Sequence, residues 1–455
     1  MKTGALDIRN GPILKNIIIY SIPIFLTGIL QRLFNAADLI VVGWFSGSDS
    51  VAAIGATTSL TSLIITLFIG LSVGTGAIVS QCLGAEDSSA TFQTVHTAIP
   101  VAFIGGAVLS VIGVVFSKTF LELMGTPAGK LLSLSSVYMK IYFSGMIFSM
   151  LYNFGSAILR AAGDTKLPLI FLSISGVLNV ILNVIFVALF NMDVAGVALA
   201  TIISQGVSAV LVLIALSKRN DACRLDFKKM KIKKTAFFKI IRYGVPAGLQ
   251  SSLYAISDVF IQSSINSFGT AHISGTAAAS NLEGFFCALM NSFNAASLNF
   301  CGQNYGAGDL KRVKKVNNTC LLTVAAVGLF TGCLIYFFGR PLLGIYIHDS
   351  ASAVNFGMER LKYFLIPYFI AGMSEVVTNS MRGIGYSFTP MVITIIGVCV
   401  MRIVWIYTVF SMPQYHSFAG LLISYPISWI FTFAAVYFAY TIALKKCEKQ
   451  LKNAE

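Results

Sequence analysis

The stretch RAAGDTKLP at residues 160–168 returns as RGIGYSFTP at residues 382–390, which is 222 positions later in the chain. A second stretch, QCLGAED at residues 81–87, returns at the same spacing as QNYGAGD at residues 303–309. A fixed spacing between similar stretches indicates an internal duplication. All four stretches lie at the ends of long apolar runs, so we predict that they form the turns between membrane spans.

The composition predicts a membrane protein. Hydrophobic residues make up 56% of the chain and charged residues only 11%, with a mean hydropathy of +0.80, whereas soluble proteins carry roughly 25% charged residues. A helix needs about 20 apolar residues to cross a bilayer. Twelve runs of this kind occur, six in each half, near residues 14–43, 51–81, 91–117, 132–159, 168–190, 194–217, 239–267, 273–301, 313–338, 356–383, 389–411 and 416–444.

The predicted fold is an all-α membrane protein with twelve transmembrane helices in two pseudo-symmetric six-helix lobes. An even number of spans in each half gives both copies the same orientation, so their symmetry axis should follow the membrane normal. The predicted divisions are an amino-terminal lobe at 1–217, a basic linker at 218–238, a carboxyl-terminal lobe at 239–444 and a tail at 445–455.

The net charge of +14 is concentrated in a few connections. Ten basic residues lie from Lys218 to Arg242, whereas four connections predicted on the opposite side contain no Lys or Arg, at 44–50, 190–194, 267–273 and 412–416. Lys118, Lys130 and Arg340 also fall on that side, and they weaken the bias without reversing it. The positive-inside rule then places the linker and both termini in the cytoplasm of a multi-pass cell-membrane protein. We expect the basic linker to face lipid headgroups rather than nucleic acid.

Nothing in the sequence predicts an enzyme, a cofactor or a metal centre. The eight cysteines form no CxxC pair and the four histidines no HExxH pattern, which are the spacings expected for metal or redox sites. A membrane-embedded enzyme would need a nucleophile and base or a metal nest. The first apolar run is much longer than the core of a signal peptide, so we expect it to remain as the first span.

Four carboxylates within predicted spans are the first candidates for function: Asp38, Asp258, Glu283 and Glu375. An acid at membrane depth costs at least about 2.5–3.5 kcal/mol on insertion scales. Such a group usually pairs with another charge, takes up a proton or binds an ion, so each of the four is a candidate for ion coupling.

In the first half, Asp38 in span 1 has two candidate partners in span 5. Asn179 and Asn183 are four residues apart, which places both amides on one helix face. A carboxylate with two amide oxygens suits a proton, a hydronium ion or Na⁺. The alternative is that the amides only bridge helices, as polar residues in membrane bundles often do.

In the second half, Asp258, Glu283 and Glu375 lie on three different spans. They suggest proton or cation coupling, and Arg402 in span 11 is the obvious counter-charge. The alternative is a static buried salt bridge. Arg32 in span 1 is a further charge partner, which either pairs with a carboxylate or projects into the cavity.

Together with the repeated turns, the stretch NAADLIVVG at residues 35–43 resembles the multidrug and toxic compound extrusion (MATE) transporters over essentially the whole chain. Within that family, the chain resembles a DinF-like or related bacterial branch. The resemblance implies a V-shaped, two-lobe antiporter that exports small organic cations in exchange for Na⁺ or H⁺ by alternating access. It implies no cofactor besides the coupling ion, and we expect a monomer among membrane lipids that binds no nucleic acid.

The resemblance also implies roles for single residues. Asp38 matches the acid of the family's span 1, and Asn179 matches its span 5 amide. Asn183 stands where many bacterial members of the DinF-like branch have an aspartate, so an ion site in the amino-terminal lobe would be less acidic. Glu283 and Glu375 resemble acids that other branches use for coupling, which leaves the choice of lobe open.

Other functions make different demands on the sequence. A flippase or exporter of lipid-linked precursors or metabolites in the same superfamily would need more basic residues around its cavity, and only Arg32 and Arg402 meet that demand. A major-facilitator carrier usually has a basic loop after span 2, but the loop at 84–87 reads GAED. A receptor or channel fits less well, because a two-fold duplication suits alternating access.

Overall fold

The computed structural model describes residues 6–348 and 350–453, apart from the side chains of Ser59 and Leu63. These residues form helices and turns without a strand, which confirms the predicted all-α fold. The first half contains α1 (Ile13–Phe45), α2 (Ser48–Gly84), α3 (Ser88–Leu123), α4 (Lys130–Ser144), α5 (Met146–Ala161), α6 (Lys166–Asn183) and α7 (Asp193–Ser217). The second half contains α8 (Lys234–Asn266), α9 (Thr270–Gly306), α10 (Leu310–Phe337), α11 (Gly339–Gly344), α12 (Ala351–Leu365), α13 (Tyr368–Gly383), α14 (Phe388–Thr394), α15 (Met401–Tyr407), α16 (Phe418–Leu422) and α17 (Ser424–Lys452).

Helix lengths repeat between the two halves. Helices α1 and α8 have 33 residues each, and α2 and α9 have 37 each. The short helices α4 and α12 have 15 residues, and their successors α5 and α13 have 16. The duplication in sequence is therefore also a duplication of helical architecture.

The repeated acids begin helices. The Asp87 side chain accepts a hydrogen bond from the backbone N–H of Ala90 at 2.9 Å, and the Asp309 side chain accepts one from Arg312 at 2.8 Å. Each satisfies a backbone donor in the first turn of α3 or α10 that has no partner within the helix. These residues recur because both copies begin the same helix in the same way.

The other repeated residues sit at the junctions α5–α6 and α13–α14. Gly163 and Gly385 have φ values of +83° and +98°, which glycine adopts without steric cost at the end of a helix. Pro168 and Pro390 are the third residues of α6 and α14, in the first turn, where a proline removes no helical hydrogen bond. The prediction that the repeated residues form turns between spans is confirmed.

Within the described chain, eight helices are long and apolar enough to cross a membrane, or nine if α4 and α5 form one span bent by 47°. The predicted spans that fall short of this criterion are α8, α9 and the pair α12–α13. They are more polar, and they carry Asp258, Glu283 and Glu375, respectively. The helices with the weakest membrane signal are thus those that hold the three candidate acids of the second half.

By their contacts, the residues group into two compact units. The first unit contains Leu26–Gly248, and the second contains Asp7–Phe25 together with the chain from Leu249 onward. The amino-terminal part of α1 therefore packs within the second unit, where the Asn299 side chain donates to the Tyr20 hydroxyl at 2.8 Å. The sequence-based division at 217 and 239 stays a prediction.

Glycines bring α2 and α8 together within the first unit. A Cβ atom added to Gly70 would lie 2.1 Å from the backbone nitrogen of Gly248, and one added to Gly74 would lie 2.5 Å from that of Gly244. The backbones thus touch through residues spaced four apart, as in small-xxx-small crossings of membrane helices. Any larger side chain would push the two helices apart.

Replacing Gly70 with valine should lower the thermal stability of the purified protein, because overpacking at a close contact costs about 1–3 kcal/mol. Gly55→Val on the same helix is the matched control, since no atom lies within 4 Å of a Cβ at that position. Melting temperatures in detergent check the comparison. Equal melting temperatures for the two variants would contradict the close crossing.

Candidate ion-coupling sites

Asp38 of α1 contacts Asn183, one of the two predicted amides of α6, and Asn183 links it to the other, Asn179. The Asn183 side-chain N–H donates to Oδ1 of Asp38 at 2.5 Å and to Oδ1 of Asn179 at 3.3 Å. Asn179 in turn donates to the Thr201 hydroxyl of α7 at 3.4 Å. A chain of polar contacts therefore joins three helices, and the expected approach of Asp38 to the asparagines is present.

This site has an unpartnered amide oxygen, and no basic side chain of the described residues pairs with its carboxylate. Asn183 is fully buried and Asn179 is 6% exposed, and Oδ1 of Asn183 has no hydrogen-bond partner among the described residues. Asp38 forms no ion pair within residues 6–348 and 350–453. A carboxylate and a free amide oxygen are hard ligands suited to a proton or an alkali cation.

Local packing explains why α1 and α6 can meet here. A Cβ atom on Gly176 would lie 1.7 Å from Cε2 of Phe34, so glycine at this position allows the Phe34 ring to pack directly on α6. Asp38 lies one turn after Phe34, and Asn183 lies two turns after Gly176, on the same faces. A π-helical turn at Val184–Leu189 follows directly, as π-helical turns frequently do at functional sites.

Glu375 of α13 is held by neutral donors from α8. Its Oε1 accepts from the Tyr254 hydroxyl at 3.0 Å and from the Gln250 amide at 3.2 Å. Oε1 of Gln250 accepts from Nη2 of the buried Arg382 at 2.7 Å. The repeated arginine of the α13–α14 turn is thus linked through one glutamine to a candidate coupling acid.

Sequence reasoning missed Gln250 and Tyr254. Their signal was available, because Gln250, Tyr254 and Asp258 follow one another at four-residue intervals and therefore share one face of α8. Asp258 was identified alone because it carries the charge, and its polar neighbours on the same face were overlooked.

Asp258, Glu375 and Arg402 all line one cavity of about 220 Å³ in the second unit. Arg402 is 5% exposed, and its Nη1 lies 3.8 Å from Oδ1 of Asp258, whose side chain is 66% exposed. The Arg402 guanidinium carbon lies 4.2 Å from the Tyr425 ring centroid, within cation–π range. Aromatic side chains form most of the remaining wall: Tyr254, Phe364, Tyr368, Tyr425 and Trp429.

Glu283 is in a different environment from the other acids. Its two carboxylate oxygens accept hydrogen bonds from Nε and Nη2 of Arg360 at 2.7 and 2.9 Å, and both side chains are buried. Such a bidentate pair is among the strongest polar contacts in proteins. Sequence reasoning missed Arg360, although it lies inside the predicted span at 356–383.

Of the two predicted charge partners, only Arg402 lies beside an acid. Arg32 is exposed and forms no ion pair among the described residues. Arg402 approaches Asp258, and Ser428 accepts a hydrogen bond from its Nε at 3.1 Å. Arg360 is therefore the counter-charge of Glu283, and Arg402 is the counter-charge of Asp258.

Glu283→Gln should destabilise the protein strongly, because removing one partner of a buried ion pair leaves the other charge uncompensated and costs about 3–5 kcal/mol. The double variant Glu283→Leu with Arg360→Met removes both charges and should regain most of the stability. Thermal unfolding in detergent measures both. A stable Glu283→Gln single variant would contradict the structural importance of the pair.

The MatE family model matches this chain twice, over residues 23–185 and 246–408, which confirms the internal duplication. "Probable multidrug resistance protein YpnP" of Bacillus subtilis strain 168 is 29% identical over 404 residues, with 88% of each chain covered. "Multidrug export protein MepA" of Staphylococcus saprophyticus is 22% identical over 401 residues, again with 88% of each chain covered.

The fold is also found among solved structures. The outward-facing conformation of a multidrug resistance MATE family transporter has a TM-score of 0.90 to this chain at 20% identity, covering 99% of this chain and all of the other. At that identity, the likeness concerns the fold, and the two matches of the family model carry the assignment. With both halves matched, the chain belongs to the MatE family of multi-pass membrane transporters and is not an enzyme.

Proposed function

We propose that this protein is a secondary active antiporter that exports small organic cations in exchange for H⁺ or Na⁺ by alternating access. Membership of the MatE family and the multidrug-export names of its relatives support this class of function. The observation that carries the coupling mechanism is Asp38, a carboxylate that accepts a hydrogen bond from Asn183 of α6, is linked through it to Asn179, and has no basic side chain as an ion-pair partner among the described residues.

Asp38 provides the competition that antiport requires. A carboxylate without a fixed cation is unfavourable in an apolar bundle, so an entering proton or Na⁺ neutralises it, with the amide oxygens of Asn179 and Asn183 as further ligands. An organic cation stabilises the same negative charge. Both cannot do so at once, and uptake of one therefore favours release of the other.

The acids of the second unit divide into two roles in this proposal. Glu375 and Asp258 line the cavity and take part in cation or proton binding. Among the described residues, the Glu375 side chain accepts hydrogen bonds from neutral donors, and the Asp258 carboxylate lies 3.8 Å from its counter-charge, Arg402. Glu283 keeps Arg360 in place and contributes to coupling only through this packing.

The proposed location is the cell membrane with both termini in the cytoplasm. This orientation rests on the concentration of Lys and Arg in the linker that follows α7 and in the carboxyl-terminal tail. We propose that the protein works as a monomer, with organic cations as its cargo.

Asp38→Asn should abolish gradient-driven efflux of a fluorescent organic cation, because the neutral side chain leaves nothing for a proton or Na⁺ to compensate. Everted vesicles with imposed Na⁺ and pH gradients measure this. Asp49→Asn is the matched control, since Asp49 is an exposed acid at the start of α2 paired with Lys130. Normal transport by Asp38→Asn at equal expression would reject the site.

Glu375→Gln should flatten the dependence of transport on the ion gradient more than it weakens binding of the organic cation. Tyr254→Phe should have a smaller effect in the same direction, because it removes one of two neutral donors to Glu375 and a hydrogen bond to a charged group contributes about 1.5–3 kcal/mol. Efflux measured against pH and Na⁺ separately checks both variants. If the transport of Glu375→Gln still depends on the ion gradient as in the parent protein, Glu375 takes no part in coupling, and Asp38 is then the coupling acid.

A further inference from the structure

The segment 226–233, which we name the strap, connects α7 to α8 and is held at both ends by α3. The backbone N–H of Asp226 donates to Nε2 of His96 at 2.9 Å, and that of Lys233 donates to the Thr97 hydroxyl at 3.1 Å. The Thr97 hydroxyl also donates to the carbonyl of Lys231 at 3.4 Å. Two adjacent residues of one helix thus fix the path of the strap.

The side chains of the strap are not buried by this attachment. Phe227, Met230 and Ile232 are 51%, 38% and 40% exposed. Basic residues that are all exposed alternate with them: Lys228, Lys229, Lys231 and Lys233. A solvated basic loop would explain the lysines, but it would not explain three large apolar side chains pointing outward from a fixed backbone.

Alternation of exposed apolar and basic side chains is the chemistry of a bilayer interface. Apolar side chains enter the boundary between headgroups and acyl chains, while lysines interact with negatively charged lipid headgroups. The strap is also kept at the membrane surface, because it connects the end of one membrane helix, α7, to the start of the next, α8.

We propose that the strap is a docking surface for anionic lipid headgroups, with Phe227, Met230 and Ile232 inserted into the interface and the lysines bound to phosphate groups. Charge complementarity favours an anionic lipid over a zwitterionic one. The hydrogen bonds that the strap backbone makes with the side chains of His96 and Thr97 position it for this contact. The inference is independent of what the protein transports.

The test places a fluorescent reporter in the strap. Phe227→Trp is reconstituted into nanodiscs of phosphatidylcholine with increasing fractions of phosphatidylglycerol, and either lipid carries brominated acyl chains that quench nearby tryptophan. The parent protein, with its three native tryptophans, supplies the background. We expect blue-shifted emission of the added tryptophan and stronger quenching by brominated phosphatidylglycerol than by brominated phosphatidylcholine, a difference that diminishes at high salt.

Two sets of charge-neutralising changes, each made in Phe227→Trp, separate this surface from general basic attraction. Lys228→Gln, Lys229→Gln and Lys231→Gln together should raise the phosphatidylglycerol fraction at half-maximal quenching by at least about fivefold, since a single lysine near the surface already contributes roughly that factor. The control triple Lys445→Gln, Lys446→Gln and Lys449→Gln should leave it unchanged.

Three outcomes would overturn the proposal. Emission typical of water without quenching by either lipid would show a solvated strap. A blue shift without lipid quenching would show that protein covers it. Equal quenching by the two brominated lipids, unaffected by salt or by the strap lysines, would show insertion without recognition of anionic headgroups.

Discussion

A polar side chain inside a bundle of membrane helices has to find its partner on a neighbouring helix, because lipid offers no hydrogen bonds. At the acid site of the first unit, a glycine lets two helices approach closely enough to meet this requirement. Gly176 admits the Phe34 ring against α6, and the Asp38–Asn183 contact lies on the same faces of the two helices. The position of the acid site therefore depends on a residue that carries no chemistry itself.

The candidate acids differ in how completely their carboxylate oxygens are paired with side chains of neighbouring helices. Glu283 has both oxygens engaged by one arginine, which leaves no obvious vacancy for an ion. Among the residues that the structure describes, Asp38 has an amide donor but no basic partner, and Asp258 has an arginine at 3.8 Å. A carboxylate whose negative charge is not fully compensated by a neighbouring cation is unfavourable for folding. A reversible ion site nevertheless needs such a group, because a carboxylate that is fully paired with an arginine has no room to bind or release an ion.

Duplication conserved the ends of the helices more than the interiors of the two halves. Asp87 and Asp309 cap equivalent helices, and Gly163 and Gly385 end equivalent ones. The interiors differ. The first unit sets one acid among amides, whereas the second sets three acids among arginines and aromatic rings. The same arrangement of helices thus surrounds two different sets of polar side chains. This is expected because the backbone geometry of a turn accepts few residue types, whereas many residue types fit inside a helix.

The sequence by itself determined the membrane class, the helices and the duplication, and it indicated Asn179 and Asn183 as candidate partners of Asp38, of which Asn183 makes the contact. Hydropathy, repeat spacing and four-residue periodicity are local properties that can be read along one chain. Only the tertiary structure decided that Arg360 holds Glu283 and that Gln250 and Tyr254 hold Glu375. Several polar residues on each helix were suitable by type. Which of them meet depends on the relative depth and rotation of packed helices, and those are set by contacts between residues far apart in sequence.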